Sequence, residues 1–282
     1  MSEPLRRVAV RIAYRGEDFH GSQWQPRLRS VEGEILYALR KVQSDVSKDD
    51  LELKGASRTD AGVSALSNVV AFYTNFTDDG ELMDALNAVA RGVLFTAVTP
   101  ISGGYSVRRA KRRRYLYVHP VEDLDVEAMR EAAALMVGRH DFARFCRSDG
   151  RPSKLRMEEV DIHLRDGLLE MRFSAQFFLW NLVRRLVAAL LQVGKGKATV
   201  DDVRRALEGE EILFGLARPD LLTLLDVEYD DLEFTPYLGA PLQRRLEEER
   251  LRGQLLRDFH DRLLPGAGGG AFMRDGPLEE DP

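Results

Sequence analysis

A strand–helix–strand–strand–helix order runs twice through the chain up to residue 229. That repeat restricts it to folds in which antiparallel sheets are covered by helices. In the first run Val8, Val10, Ile12 and Tyr14 alternate with Arg7, Ala9, Arg11 and Ala13, the period of a half-buried strand over 7–14. Ser30 then precedes apolar residues at helical spacing (Val31, Ile35, Leu36, Leu39, Val42), with Glu32 and Glu34 in the first turn, so an amphipathic helix is predicted from residue 31. A short strand at 51–56, a loop at 57–65, a strand at 68–73 and a helix over 81–93 complete the run.

Pro100 and the Gly103-Gly104 pair break regular structure and mark a boundary. Beyond it the pattern predicts a strand at 112–119 with Tyr115 and Tyr117 on one face, and a helix at 125–137 closed by Gly138. Strands at 160–164 and 168–175 follow, joined through the hairpin signal Asp166-Gly167, then a largely buried helix at 177–193 and a last strand at 221–229. The expected fold is α+β: two ferredoxin-like halves (β-α-β-β-α) with antiparallel sheets flanking a central basic cleft, plus a helical C-terminal appendage. The divisions fall at 1–103, 104–233 and 234–282. In the appendage, 242–264 has helical spacing among many charges, Pro265-Gly266 ends it, and the glycines of 268–270 suggest flexibility.

Apolar residues make up 44% of the 282 and charged residues 31%, which excludes a disordered polyelectrolyte, and no apolar run approaches a membrane span. The start, Met-Ser-Glu-Pro-Leu-Arg-Arg, lacks an apolar signal core, so a cytoplasmic protein is expected. A single cysteine, Cys146, rules out an intrachain disulfide, and no Cys/His spacing resembles a zinc site. Net charge is −5, yet six of the seven residues of 108–114 are basic, so a local electropositive face is compatible with an acidic chain; a solvated strand or loop is an equally good reading of the same run.

The stretch Gly55-Ala56-Ser57-Arg58-Thr59-Asp60-Ala61-Gly62-Val63 sets Arg, Thr and Asp together between two strands. On composition alone an Asp-capped turn is the simpler reading. Its segment Arg58-Thr59-Asp60-Ala61-Gly62-Val63 nevertheless resembles the R-T-D-A-G-V signature of the TruA-type tRNA pseudouridine synthases. An earlier family block, Y-x-G-x-x-F-x-G-x-Q-x-Q, is matched by Tyr14, Gly16, Phe19, Gly21, Gln23 and Gln25, and R-x-Y-x-Y by Arg113, Tyr115 and Tyr117. A fourth block is matched by Phe178, Arg184, Val193, Gly194 and Gly196, and a looser closing pattern covers Ala217, Pro219 and the strand ending at Tyr229. The chain departs from the family at Ser57, where Gly is common, at Ser64, where His is common, and at Ser22, where Trp is common and Trp24 stands two places later.

The resemblance implies isomerisation of uridine to pseudouridine within tRNA, around the anticodon stem-loop, by a homodimeric enzyme that needs no metal and no organic cofactor. It makes Asp60 the catalytic carboxylate, able either to attack C1′ or to take a proton from C2′. Arg184 is implied to pair with Asp60 and favour its ionised form, Tyr115 to stack on the target base, and Arg58 to help hold the extruded nucleotide. Arg108, Arg109, Lys111, Arg112 and Arg113 are candidate RNA contacts. His140-Asp141 falls in the family's G-x-H-D-F turn, where a structural role is expected. A catalytically silent RNA-binding protein would use the same cleft, and a nucleoside hydrolase would need a second acid near Asp60, of which the sequence gives no sign.

Overall fold

The computed structural model describes residues 5–263 apart from 122 and 149. The start of the chain, Pro265-Gly266 and the glycines of 268–270 lie outside the described residues. The chain divides after Tyr237 into a large unit and a small one that begins at Leu238.

The large unit is built on one mixed sheet. Strand β1 (Arg6–Tyr14) follows the predicted alternation, with Val8, Val10 and Ile12 fully buried. Helix α1 (Val31–Val42) starts where Ser30 accepts a hydrogen bond from the Gly33 amide at 3.2 Å. A single helical turn, α2 (Lys48–Leu51), and a two-residue strand, β2 (Lys54–Gly55), occupy the place of the expected strand at 51–56. Strand β3 (Ser64–Thr74) and helix α3 (Asp79–Val89) come next, the helix capped by Asp78. Residues 93–100 correct the sequence reading: the helical spacing runs on to Val93, but Gly92 turns left-handed (φ +76°) and Val93–Pro100 is a strand, β4, paired with β1.

After β5 (Arg112–Pro120) and α4 (Val126–Met136), a short strand β6 (Gly138–Asp141) pairs with β7 (Lys154–Arg165), which forms the expected hairpin with β8 (Leu168–Ala175). Helix α5 spans Leu182–Gly194, later than the predicted start at 177, because Asn181 is left-handed (φ +64°) and blocks helical continuation. The unit ends with α6 (Val200–Leu207), β9 (Leu222–Glu228) and β10 (Thr235–Pro236).

Strand order is β10-β4-β1-β3-β9-β5-β8-β7-β6, with β2 added to β3. The strands before and after residue 104 therefore share one sheet. Their junction is the parallel pairing of β3 with β9 (Ser64 opposite Thr223, Ala65 opposite Leu224), while β9 runs antiparallel to β5. Helices α1 and α3 pack together, α3 against β4, and α4 packs against α5, α6 and β7. The small unit carries helix α7 (Ala240–Leu263). Among the described residues no helix is long and apolar enough to cross a membrane.

Candidate active site

The loop between β2 and β3 holds Asp60, and its backbone is pinned from three directions. From below, the Val63 amide donates to the Asp60 carbonyl at 3.1 Å and closes a tight turn in which Gly62 is left-handed (φ +84°). From the segment after β1, Ser22 holds both backbone groups of Thr59: its amide donates to the Thr59 carbonyl (3.0 Å) and its Oγ accepts from the Thr59 amide (2.8 Å). Gly16 lies so close that a Cβ there would collide with the backbone of Gly62 and Val63. From inside the sheet, the Tyr14 hydroxyl lies 2.9 Å from Thr59 Oγ1, and Asn68 Nδ2 donates to the Ser57 carbonyl (2.9 Å).

Besides these three, the loop is held by Arg113 on β5. It is buried, and it donates through Nε to Ser57 Oγ (2.8 Å), through Nη2 to the carbonyls of Ala56 (2.9 Å) and Arg108 (3.0 Å), and through Nη1 to the Gln176 carbonyl. Its burial lowers the guanidinium's affinity for its proton. With four of its five donors bonded to four acceptors, it is a tie between the Asp60 loop and the strands after residue 104. Sequence reasoning placed Arg113 among RNA contacts; its equal parity with Tyr115 and Tyr117 on a half-buried strand was the signal that it points inward.

Asp60 and Arg184 meet across the junction: Arg184 Nη1 donates to Asp60 Oδ2 at 3.1 Å, with the arginine side chain 15% and the aspartate 31% exposed. Arg184 Nε also donates to the Ala217 carbonyl (2.8 Å), and the Ala217 amide returns a bond to the Arg184 carbonyl (3.1 Å), which fixes the guanidinium before any ligand arrives. Tyr115 is 7% exposed and stands edge-on to Phe178 at 5.0 Å between ring centres. Burial, reinforced by the Tyr14 phenol and the Asp60 carboxylate, pushes the Tyr115 hydroxyl well above its ordinary range, so it stays protonated.

Arg58 is exposed and makes no hydrogen bond or ion pair among the described residues. Arg108 and Arg109 are exposed as well, and their side chains make no hydrogen bond or ion pair among the described residues. Lys111 is paired with Asp230 (2.7 Å) and Glu228 (3.4 Å), and Arg112 with Glu158 (2.7 Å). His140 Nε2 is 3.0 Å from the Val137 carbonyl, and Asp141 accepts from the Ala143 amide (3.0 Å); both are local turn contacts. Among the described residues no group of three or more His, Cys, Asp or Glu could hold a metal ion.

The sheet thus brings Asp60, its ion-pair partner Arg184 and the protonated Tyr115 together from segments far apart in sequence. A family model described as "tRNA pseudouridine synthase" matches residues 132–230. The tRNA pseudouridine synthase A of Pyrococcus abyssi is 37% identical over 258 residues, covering 89% of this chain and 95% of that protein. The enzyme of the same name from Thermococcus kodakarensis is 38% identical, over 81% and 86%. A solved archaeal box H/ACA Nop10-Cbf5 complex aligns with a TM-score of 0.33 at 11% identity, over 77% of this chain and 46% of that one. The chain belongs to the tRNA pseudouridine synthase A family and is an RNA-uridine isomerase.

Proposed function

We propose that Asp60 is the catalytic carboxylate for converting uridine to pseudouridine in the anticodon stem-loop of tRNA. The observation that carries this is the Arg184–Asp60 ion pair, made between residues far apart in sequence on a loop that is otherwise fully tied down. The Arg184 guanidinium, donating to Asp60 Oδ2 at 3.1 Å, fixes the orientation of the carboxylate. In the reaction the C1′–N1 bond breaks, the base turns over, C1′ joins C5, and the hydrogen on C5 leaves as a proton. The carboxylate assists either by attacking C1′ or by taking a proton from C2′.

The other sequence assignments are kept in this reading. Tyr115 offers the extruded base an aromatic surface, and Arg58, free beside Asp60, reaches for the RNA. Arg108 and Arg109 are the members of the basic run left over for phosphates, whereas Lys111 and Arg112 already face carboxylates and Arg113 is internal. The large unit is read as two ferredoxin-like halves, 1–103 and 104–233, meeting at a basic cleft, in a cytoplasmic homodimer.

The test uses tRNA tritiated at uridine C5. The parent is expected to release tritium, and Asp60→Asn to release none while binding the tRNA with undiminished affinity. Binding without release by the parent would instead define an RNA-binding protein with a silent cleft.

A further inference from the structure

The segment 208–221 joins α6 to β9 and lies against the turn that carries Asp60. A Cβ on Gly62 would come within 3.1 Å of Pro219 Cγ, and Ala217 exchanges two hydrogen bonds with Arg184, the partner of Asp60. The segment is braced along its length. Arg144 Nε donates to the Gly209 carbonyl (2.8 Å), and Arg205 Nε donates to Glu210 Oε2 (2.6 Å). Phe214 is buried and stacks on Phe145, with ring centres 5.7 Å apart and planes 9° from parallel. Gly215 is left-handed (φ +90°) with open space around it, so what it supplies is the turn of the chain.

Between these anchors the arch presents Leu213, 81% exposed, and Leu216, 46% exposed, while their neighbours Phe214 and Ala217 are buried. Scattered surface leucines call for no explanation. These two differ because they stand three residues apart on a braced arch, and Leu216 adjoins the residue whose carbonyl fixes Arg184. The charges of the arch are cancelled locally: Arg218 Nε donates to Asp220 (3.1 Å), Arg205 holds Glu210, and Arg144 lies 3.9 Å from Glu211. What the arch offers beside Asp60 is therefore apolar contact and not a phosphate site.

A base drawn out of an RNA stack leaves its neighbours with uncovered faces, at a cost of about a few kcal/mol, and leucine is among the side chains that proteins insert at such a step. We infer that Leu213 and Leu216 form an apolar wedge, which packs on the bases flanking the withdrawn uridine and holds the gap open. The inference rests on the isomerase reading and assigns to this arch the flanking bases, not the backbone.

Cys146→Ser removes the single cysteine, so Leu213→Cys or Leu216→Cys can then carry one benzophenone. In an Asp60→Asn background, irradiation with a tRNA transcript is expected to crosslink the bases next to the uridine that the parent converts in the same transcript. Leu213→Ala combined with Leu216→Ala is expected to lower single-turnover tritium release about tenfold, with little change in tRNA affinity, whereas Leu216→Met keeps most of the rate. The urea unfolding midpoint should stay put, because both side chains are exposed; a merely structural role predicts no loss of rate. Crosslinks confined to remote nucleotides, or full tritium release by the double variant, would overturn the wedge and leave the isomerase reading standing. A parent that releases no tritium would overturn both. A dimer that sediments as a monomer when both leucines are replaced by aspartate would assign the arch to a second copy of the chain and overturn the RNA contact.

Discussion

Arg184 serves two partners at once, the Ala217 carbonyl through Nε and Asp60 through Nη1, and a lysine ammonium cannot copy that planar fork. Arg184→Lys is therefore expected to lower tritium-release kcat by about tenfold or more, the loss of one charge-assisted hydrogen bond, while tRNA affinity measured by filter binding changes little. Tyr115 separates ring from hydroxyl: if stacking is its contribution, Tyr115→Phe keeps most activity and Tyr115→Leu loses about ten- to a hundredfold in kcat/KM. The departures from the family at Ser57 and Ser64 both acquire local work. Ser57 Oγ accepts from Arg113, and Ser64 Oγ accepts from the Gly16 amide at 3.0 Å. Neither contact was legible in the sequence, because each joins residues that only the closed sheet brings together.

At the scale of elements, Arg113 is the rivet between the Asp60 loop and β5. Arg113→Met would orphan several buried carbonyls and the Ser57 hydroxyl, and is expected to cost about 3 kcal/mol in urea unfolding. Gly16→Ala tests the opposite wall: a methyl driven into the Gly62–Val63 backbone should displace the turn and reduce tritium release more than it reduces stability. Where hydrophobic period was strong and caps were local, as in β1, α1 and the β7–β8 hairpin, the sequence read true. It failed at Gly92 and Asn181, whose left-handed backbone breaks patterns that the side chains continue. It missed β6 and β10 because two- and four-residue strands have no period to detect. The triplet Arg58-Thr59-Asp60 and its partner Arg184 were visible only through their resemblance to a family; composition alone allowed a turn.

For the whole molecule, charge is organised to hold the sheet together as much as to meet RNA. Asp226 on β9 accepts from Arg11 of β1 and Arg114 of β5, each at 2.7 Å. Burial would raise its carboxyl, but the hydrogen bonds from Arg114 and Arg11 more than reverse this and hold it below the ordinary range. A carboxyl depressed on folding contributes stability that is present above its unfolded value, near 4, and is lost as pH falls through the folded one. The parent's unfolding midpoint should accordingly drop steeply below about pH 4, and Asp226→Asn should be less stable at neutral pH by about 2 kcal/mol with a shallower acid limb. Despite the net charge of −5, tRNA affinity should fall with rising salt, because each cationic side chain that meets a phosphate releases counterions condensed on the RNA.

The β3–β9 junction also sets a timetable. Ser64 finds its sheet neighbour only at Thr223, so the strand that leaves the Asp60 loop keeps an open edge until nearly all of the large unit has emerged from the ribosome. A nascent chain halted before residue 222 would already own every residue assigned to chemistry and still lack the strand that seats them. Such a truncated product is expected to release no tritium and to be cleaved by protease around residues 57–63, so competence comes late in synthesis and all at once.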